Sequence, residues 1–410
     1  MKTKEHIFVR FDRIFEQYDC RRGGRSPARG FANFPGLRQM ASKLFTPITL
    51  GPRVYDNRLV IAPMAQYSAV DGDFGDWHYI HLGNLATSGA GCVMIEATAV
   101  NAEGRCTLGD TGLYSDSNEA SLARVVAAMK RHGGNTRIGI QLVHGGRKAS
   151  TAVHWLGGQP LSPAAGGWTT VAPSAIGFGD WPAPRAATAG DLDEIRAAFA
   201  QAAARAARAG VDLIELHAAH GYLLHQFLSP ITNRREDAYG GSLENRMRLP
   251  LEVFEAVRAA APGVTLGVRL TGSDWIEGGI TPEEAARFAA ELQARGCHYV
   301  DVTSGALDPR QKITVKRGYQ VEFAAYVKRH VGIAVRAVGL IVDPQQAEDI
   351  VAGGQADLVA IARAALANPR WAWEAAHVLG AKIEVAPQYQ RAASGVWPGW
   401  NLRQPAPIAA

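Results

Sequence analysis

Eight short runs of β-branched and other apolar residues recur along the chain, at residues 59–64, 92–97, 137–143, 211–217, 265–270, 299–303, 333–338 and 358–362. Between them the apolar positions take helical spacing. One such stretch is the Ala-rich run 192–209, with Asp191 read as its cap and Gly210 behind it; another opens at Thr281-Pro282-Glu283-Glu284. Continuous apolar strands that alternate with helices predict a parallel sheet covered on its outer face. Eight such units predict an α/β fold, a single (β/α)8 TIM barrel. A doubly wound sheet would usually carry a Gly-rich turn after its first strand, and none is present. The longest connection, from about residue 145 to 190, abounds in Gly, Pro and Trp and is long enough for an excursion that lines the barrel mouth.

Barrels of this kind place their chemistry at the C-terminal ends of the strands. Those ends carry Pro63-Met64-Ala65, Glu96-Ala97, Gln141, His217 with His220, Arg269, Thr303-Ser304-Gly305, Gly339 and Arg363. The stretch 211–246 is the most informative, because it delivers His217, His220 and Tyr222 together where an apolar strand ends. Two histidines three apart invite a zinc reading, but no further ligands follow at recognisable spacing, so no metal is expected. For a pair taken at random among 12 histidines, burial with backbone partners is the default. Position at a strand end argues instead for a clamp: two neutral imidazoles and a phenol can hold an electron-rich oxygen and deliver a proton.

The last two units read as a phosphate site, with Gly339 ending one strand and Ala362-Arg363 opening a helix after the next. Arg269 ends LGVRL and is expected to point a permanent charge into the mouth; without a dedicated acid partner it requires an anion. Gln141 offers a donor and an acceptor suited to the edge of a pyrimidine-like ring. Phosphate, polar ring and fixed cation together suggest flavin mononucleotide (FMN).

At 410 residues the chain can bury a large core. No run approaches the roughly 18 to 20 apolar residues of a membrane span, and no secretory pattern opens the sequence. The four cysteines, Cys20, Cys92, Cys106 and Cys297, lack pairing motifs, which suits a reducing compartment, so a cytoplasmic location and no membrane partner are expected. The net charge is +5, and of 43 Lys and Arg and 38 Asp and Glu, nine and four lie in residues 1–39, leaving 34 of each in residues 40–410. A neutral body discounts nucleic acid. Residues 1–39, basic and rich in Gly, Arg and Pro, are expected to be disordered or to reflect a start assigned too far upstream. The barrel is assigned to residues 40–380 and a C-terminal segment to 381–410.

The segments QLVHGGRKAS, HAAHGYLLHQFLSPITNRREDAYGGSLENR and AVGLIVDPQQAEDIVAGGQADLVAIARAALANPRW resemble the Old Yellow Enzyme family of FMN-dependent ene-reductases. Within it they are most similar to the bacterial class of thermophilic-type and xenobiotic reductases. The resemblance runs from about residue 44 to 391. It implies FMN as cofactor, with NADPH or NADH as reductant and a small-molecule substrate. It assigns flavin contacts to Pro63, Met64, Ala65, Ala97, Gln141, Arg269, Gly339, Ala362 and Arg363. It makes His217 and His220 the pair that holds the substrate oxygen, Tyr222 the proton donor and Tyr67 a substrate-pocket residue. PQYQR resembles a segment that reaches a neighbouring subunit's site in this class, which implies that Arg391 acts in trans in a homodimer or a tetramer of dimers. The chain departs from the class at Ala65, where many members carry a cysteine, and this puts its redox poise in doubt. Arg234, Asn245 and Arg246 are read as structural. Two rival readings remain: a flavin barrel with another substrate, such as an amine or a dienoyl thioester, and a non-catalytic flavin-binding protein.

Overall fold

The computed structural model describes residues 41–402, and the extension expected over residues 1–39 lies outside them. Eight strands close into a barrel: β1 (Leu59–Ile61), β2 (Cys92–Ala99), β3 (Arg137–Val143), β4 (Leu213–Ala218), β5 (Thr265–Thr271), β6 (Tyr299–Thr303), β7 (Ala334–Ala337) and β8 (Leu358–Ile361). Each runs parallel to its neighbours, and β8 pairs with β1 to close the ring. The helices are α1 (Asp76–Ala86), α2 (Asp116–His132), α3 (Ala189–Arg208), α4 (Leu223–Leu228), α5 (Leu243–Ala260), α6 (Pro282–Ala294), α7 (Val321–Lys328), α8 (Pro344–Ala352), α9 (Arg363–Ala367) and α10 (Trp371–Val378). Among the described residues no helix is long and apolar enough to cross a membrane.

Local chemistry explains most boundaries. Thr281 caps α6 and Pro282 occupies its first turn, as the sequence predicts. For α3 the expected cap is corrected. The helix begins earlier, at Ala189: Thr188 is the cap, and Asp191, three residues on, accepts the Thr188 backbone N–H in a capping box. The threonine competes better because its hydroxyl meets the Asp191 N–H while the aspartate answers it, satisfying two orphan donors at once.

Two apolar layers flank the strands. The larger lies between barrel and helices and includes Ile95, Ile140, Phe199, Phe227, Phe254 and Val300. The smaller fills the bottom of the barrel, where Val60, Cys92, Met94, Leu213, Tyr299 and Leu358 meet Leu50 and Tyr55. Those last two residues come from a hairpin, Ile48–Leu50 with Arg53–Tyr55, and the Leu50 carbonyl accepts from Thr265 Oγ1 at 2.9 Å to fasten it under the barrel. Above this floor the interior turns polar, with Gln141, Glu215, Arg269, Asp301 and Arg336 all buried. The connection after β3 makes the expected excursion, built on the short strands Val171–Ala172 and Arg185–Ala186. Arg147 ties it down, donating to the carbonyls of Gly177 (2.9 Å) and Leu307 (2.6 Å).

Gly267 shows how tightly the interior is filled. A Cβ there would lie 2.0 Å from the Tyr299 ring, so the bare backbone of β5 is what lets that ring cross the barrel. Replacing Gly267 with Ala is therefore expected to cost about 1–3 kcal/mol through overpacking, measured as a lowered midpoint in denaturant unfolding. An unchanged midpoint would mean that Tyr299 moves aside freely.

Candidate active site

β4 carries His217 inward, and a tight turn then swings His220 and Tyr222 over the barrel mouth. The turn needs left-handed backbone at His220 (φ 55°) and Gly221 (φ 74°). A Cβ on Gly221 would lie 2.5 Å from the Ala306 carbonyl oxygen, so only glycine fits. The turn is anchored from α4. His225 Nδ1 accepts the Gly221 N–H at 2.8 Å, which leaves its Nε2–H to donate to Asp274 Oδ1 at 2.8 Å. The other Asp274 oxygen accepts from Ser229 Oγ (2.7 Å) and Ile280 N (2.8 Å).

Backbone contacts also fix the tautomers of the histidine pair. The Ala219 N–H donates to His217 Nδ1 at 3.2 Å, so His217 carries its proton on Nε2 and donates to His220 Nδ1 at 3.3 Å. His220 then donates through Nε2 to Thr303 Oγ1 at 2.9 Å, and Thr303 donates to Gln320 Oε1 at 2.8 Å. The result is a directed relay of neutral groups. Burial, followed by the Arg269 charge, holds both imidazoles well below the usual histidine range.

Tyr222 completes the cluster, its ring 4.9 Å from that of His217. The neighbouring Cys106 sulfur, together with burial, keeps the phenol protonated well above its ordinary range. Lys148 lies beside it, with Nζ 5.2 Å from the Tyr222 ring centre. The ammonium donates to the carbonyls of His220 (2.9 Å) and Ala306 (3.0 Å), and burial lowers its pKa to about 8. Tyr67, left-handed at φ 51°, packs edge-on against Trp155 at 5.7 Å.

Of the cofactor residues expected from the sequence, Arg269, Gly339, Ala362 and Arg363 line one cavity beside this cluster, and Pro63, Met64, Ala65, Ala97 and Gln141 do not. A cavity of about 220 Å³ is lined by His220, Arg269, Gln320, Gly339, Ala362 and Arg363, among others. A Cβ on Gly339 (φ 111°) would meet Gln320 Nε2 at 2.4 Å, so the glycine keeps this wall thin. The backbone N–H groups of Gly339, Leu340, Arg363 and Ala364 have no hydrogen-bond partner among the described residues, and neither does the Arg363 guanidinium. Such a cradle of donors fits a phosphate monoester. As expected, part of it comes from a helix start: Arg363 and Ala364 open the five-residue α9, and the loop N–H groups of Gly339 and Leu340 and the Arg363 side chain supply the rest.

A second correction concerns Arg269. It does have an acid partner, with Nε 3.3 Å from Asp301 Oδ1. Asp301 is shared with Arg336 on the far side, so Arg269 is only partly neutralised, and its buried Nε makes no hydrogen bond among the described residues. Gln141 Nε2 donates to Glu215 Oε1 at 2.8 Å. Pro63, Met64 and Ala65 follow β1, and the backbone N–H of Gln66 is held by Glu96 Oε2 at 2.7 Å. Ala97 sits at a register irregularity of β2. Arg391 stands apart, exposed on the helical turn Pro387–Ala392, and does not line this cavity. Arg246 is structural, as expected: it is buried and bonds the Leu228 carbonyl and Glu284.

Sequence reasoning missed Cys106, Lys148, Gln320 and the charged pair Glu215 and Arg336. The last two were legible as charges inside otherwise apolar runs, LIEL and AVRA.

The chain matches the NADH:flavin oxidoreductase / NADH oxidase family over residues 43–381. It is 42% identical over 366 residues to an NADPH dehydrogenase of Geobacillus sp. (strain WCH70), covering 88% of this chain and all of that one. It is also 42% identical over 368 residues to an NADH:flavin oxidoreductase of Gibberella zeae, covering 85% and 88% of the two chains. Among solved structures, morphinone reductase in complex with tetrahydroNAD superposes with a TM-score of 0.68 at 31% identity, covering 84% of this chain and 93% of that one. A 2-naphthoyl-CoA reductase complex superposes with a TM-score of 0.72 at 26% identity, and there the chain spans about half (51%) of the larger protein.

The depressed histidines make a pH prediction. A histidine whose folded pKa lies below its unfolded value of about 6.5 leaves stability intact above that pH. As pH falls below it, the unfolded state takes up protons that the folded state refuses, and stability is lost by up to about 1.4 kcal/mol per pH unit per group. His144, lowered by burial to about 4, acts in the same direction as His217 and His220. Denaturant unfolding between pH 7.5 and 5 should show this slope, reduced in His220→Asn; an equal slope in that variant would mean that His220 titrates normally.

Proposed function

Because the chain belongs to the NADH:flavin oxidoreductase / NADH oxidase family, whose FMN draws reducing equivalents from NAD(P)H, we propose that it is an ene-reductase acting on α,β-unsaturated carbonyl or nitro compounds. The observation that carries this reading is the convergence of two neutral, N–H-bearing imidazoles and a protonated phenol beside Arg269 and the cradle at Gly339 and Arg363. Bound FMN supplies the hydride chemistry, from NADPH or NADH to the β-carbon of an activated alkene.

The protein's own groups do the rest. Gln141 and Arg269 hold the polar edge of the ring, while Gly339, Ala362 and Arg363 hold its phosphate. A substrate oxygen takes over the Nε2–H donors of His217 and His220, which the relay otherwise spends on His220 and Thr303. Neutral donors suit the task, since they stabilise the negative charge that grows on that oxygen without protonating it first. Tyr222 delivers a proton to the α-carbon, and the Lys148 ammonium faces the phenolate so formed until solvent reprotonates it. Tyr67, with Trp155, shapes the substrate side of the mouth. Arg391 acts on the site of a second copy in a homodimer or a tetramer of dimers, and Ala65 offers the cofactor no thiol at that position.

Anaerobic NADPH is expected to bleach the flavin absorbance of the purified protein, and 2-cyclohexenone to restore it. In Tyr222→Phe the bleaching should keep its rate while the return slows by roughly 10²–10⁴-fold, the usual worth of general acid catalysis. A return at the parent rate would remove Tyr222 from the mechanism, and a protein that cannot bind FMN would remove the reading itself.

A further inference from the structure

Below the mouth, one chain of buried side chains joins the two residues assigned to the cofactor ring. Gln141 Nε2 donates to Glu215 Oε1 at 2.8 Å. The other Glu215 oxygen accepts from Tyr299 Oη at 2.8 Å and from Arg336 Nη2. Arg336 Nε donates to Asp301 Oδ2, and Asp301 Oδ1 lies 3.3 Å from Arg269 Nε. Glu215, Asp301 and Tyr299 are 0% exposed and Arg336 is 1% exposed. Strand register builds the chain, because Gln141 pairs with Glu215 across β3 and β4, and Asp301 on β6 pairs with both Arg269 and Arg336. Two carboxylates and two guanidiniums balance, so any change at one end is felt as a bare charge in a dry interior.

We propose that Glu215 and Arg336 are positioning residues for the bound flavin, setting the orientation of Gln141 and the share of the Arg269 charge that reaches the ring. An ionised carboxylate only accepts hydrogen bonds, so Glu215 fixes the Gln141 amide with its nitrogen inward and its carbonyl oxygen turned the other way. Arg336 competes with Arg269 for Asp301: the more firmly Asp301 is held by Arg336, the less it neutralises Arg269. Burial opposes the charge on Arg336, and Asp301 and Glu215 outweigh that cost, so the guanidinium stays ionised. This inference rests on the reading that Gln141 and Arg269 hold the ring.

The test is the reduction equilibrium of bound FMN, read from anaerobic absorbance against a reference dye, together with FMN affinity. Reduced flavin carries more negative charge than oxidised flavin. Glu215→Gln, which removes a buried negative charge, should therefore shift the equilibrium at least tenfold toward reduction, about 30 mV for a two-electron couple. Arg336→Gln should shift it at least tenfold the other way. A purely structural role would weaken FMN binding in both without opposite shifts, and that outcome overturns the proposal. The paired variant Glu215→Leu/Arg336→Met leaves no bare charge and is expected to fold even where a single variant does not. It should keep the parent equilibrium while binding FMN at least tenfold more weakly, because the Gln141 amide is no longer oriented; parent-like affinity would also overturn the proposal. Gln141→Leu separates the two claims. If it leaves FMN affinity unchanged, the placement of the ring is wrong, whereas weakened binding there with no response to the Glu215 and Arg336 variants refutes only the present inference.

Discussion

A charged guanidinium in the middle of a dry barrel sets the terms for everything around it. Arg336 is compensated by Glu215 and Asp301, on two other strands, and removing one partner of such a buried pair typically costs about 3–5 kcal/mol. A slip of one residue in β4, β6 or β7 would turn one of these groups toward the helix layer and strand the others. The register is thereby pinned, and register decides what reaches the mouth. Alternate residues share a face of a strand, so His217 stands one layer above Glu215 and Thr303 one layer above Asp301. The His220–Thr303 bond thus joins the two strands that carry the carboxylates.

Much of this was legible in the sequence for a simple reason. A parallel strand buried on both sides reads as an apolar run, and the eight runs match the eight barrel strands within about three residues at their ends. His217, Arg269 and Gln141 fall at the mouth because they stand at or near the ends of such runs. The Asp301 partner of Arg269 was not legible, since it lies on a neighbouring strand 32 positions away and only the register of β5 against β6 brings it close. The same blindness hid the tautomers of His217 and His220, which depend on one backbone N–H and one threonine, and the role of Lys148, whose carbonyl partners sit on two different turns. Short-range rules failed differently at α3, where Asp191 is a good capping residue but Thr188 is better placed.

The mouth also concentrates backbone strain. Tyr67, His220, Ala306 and Leu340 all have positive φ without being glycine, a conformation costing on the order of 1–3 kcal/mol each. They follow β1, β4, β6 and β7, so the strain gathers in the turns above the strand ends. Lys148 links two of these turns by donating to the carbonyls of His220 and Ala306. Its ammonium lies over the Phe178 ring, 4.8 Å from Nζ to the ring centre, which fastens the excursion to the same point. Strained turns persist only where the surrounding structure over-determines them, and here a single half-buried lysine supplies part of that constraint.

The polarity of the relay bears on which substrates suit the site. From the Ala219 N–H through His217, His220 and Thr303 to Gln320, each link donates in one direction. An incoming oxygen needs only to replace one acceptor with another, and since a typical hydrogen bond is worth a net 0.5–1.5 kcal/mol, the exchange is nearly balanced for the protein. An incoming ammonium group meets donors that cannot turn round, with the charges of Arg269 and Lys148 close behind them. Like charge juxtaposed in a poorly solvated pocket costs several kcal/mol. On hydrogen-bond direction and charge, the arrangement therefore suits an oxygen acceptor better than a cationic amine.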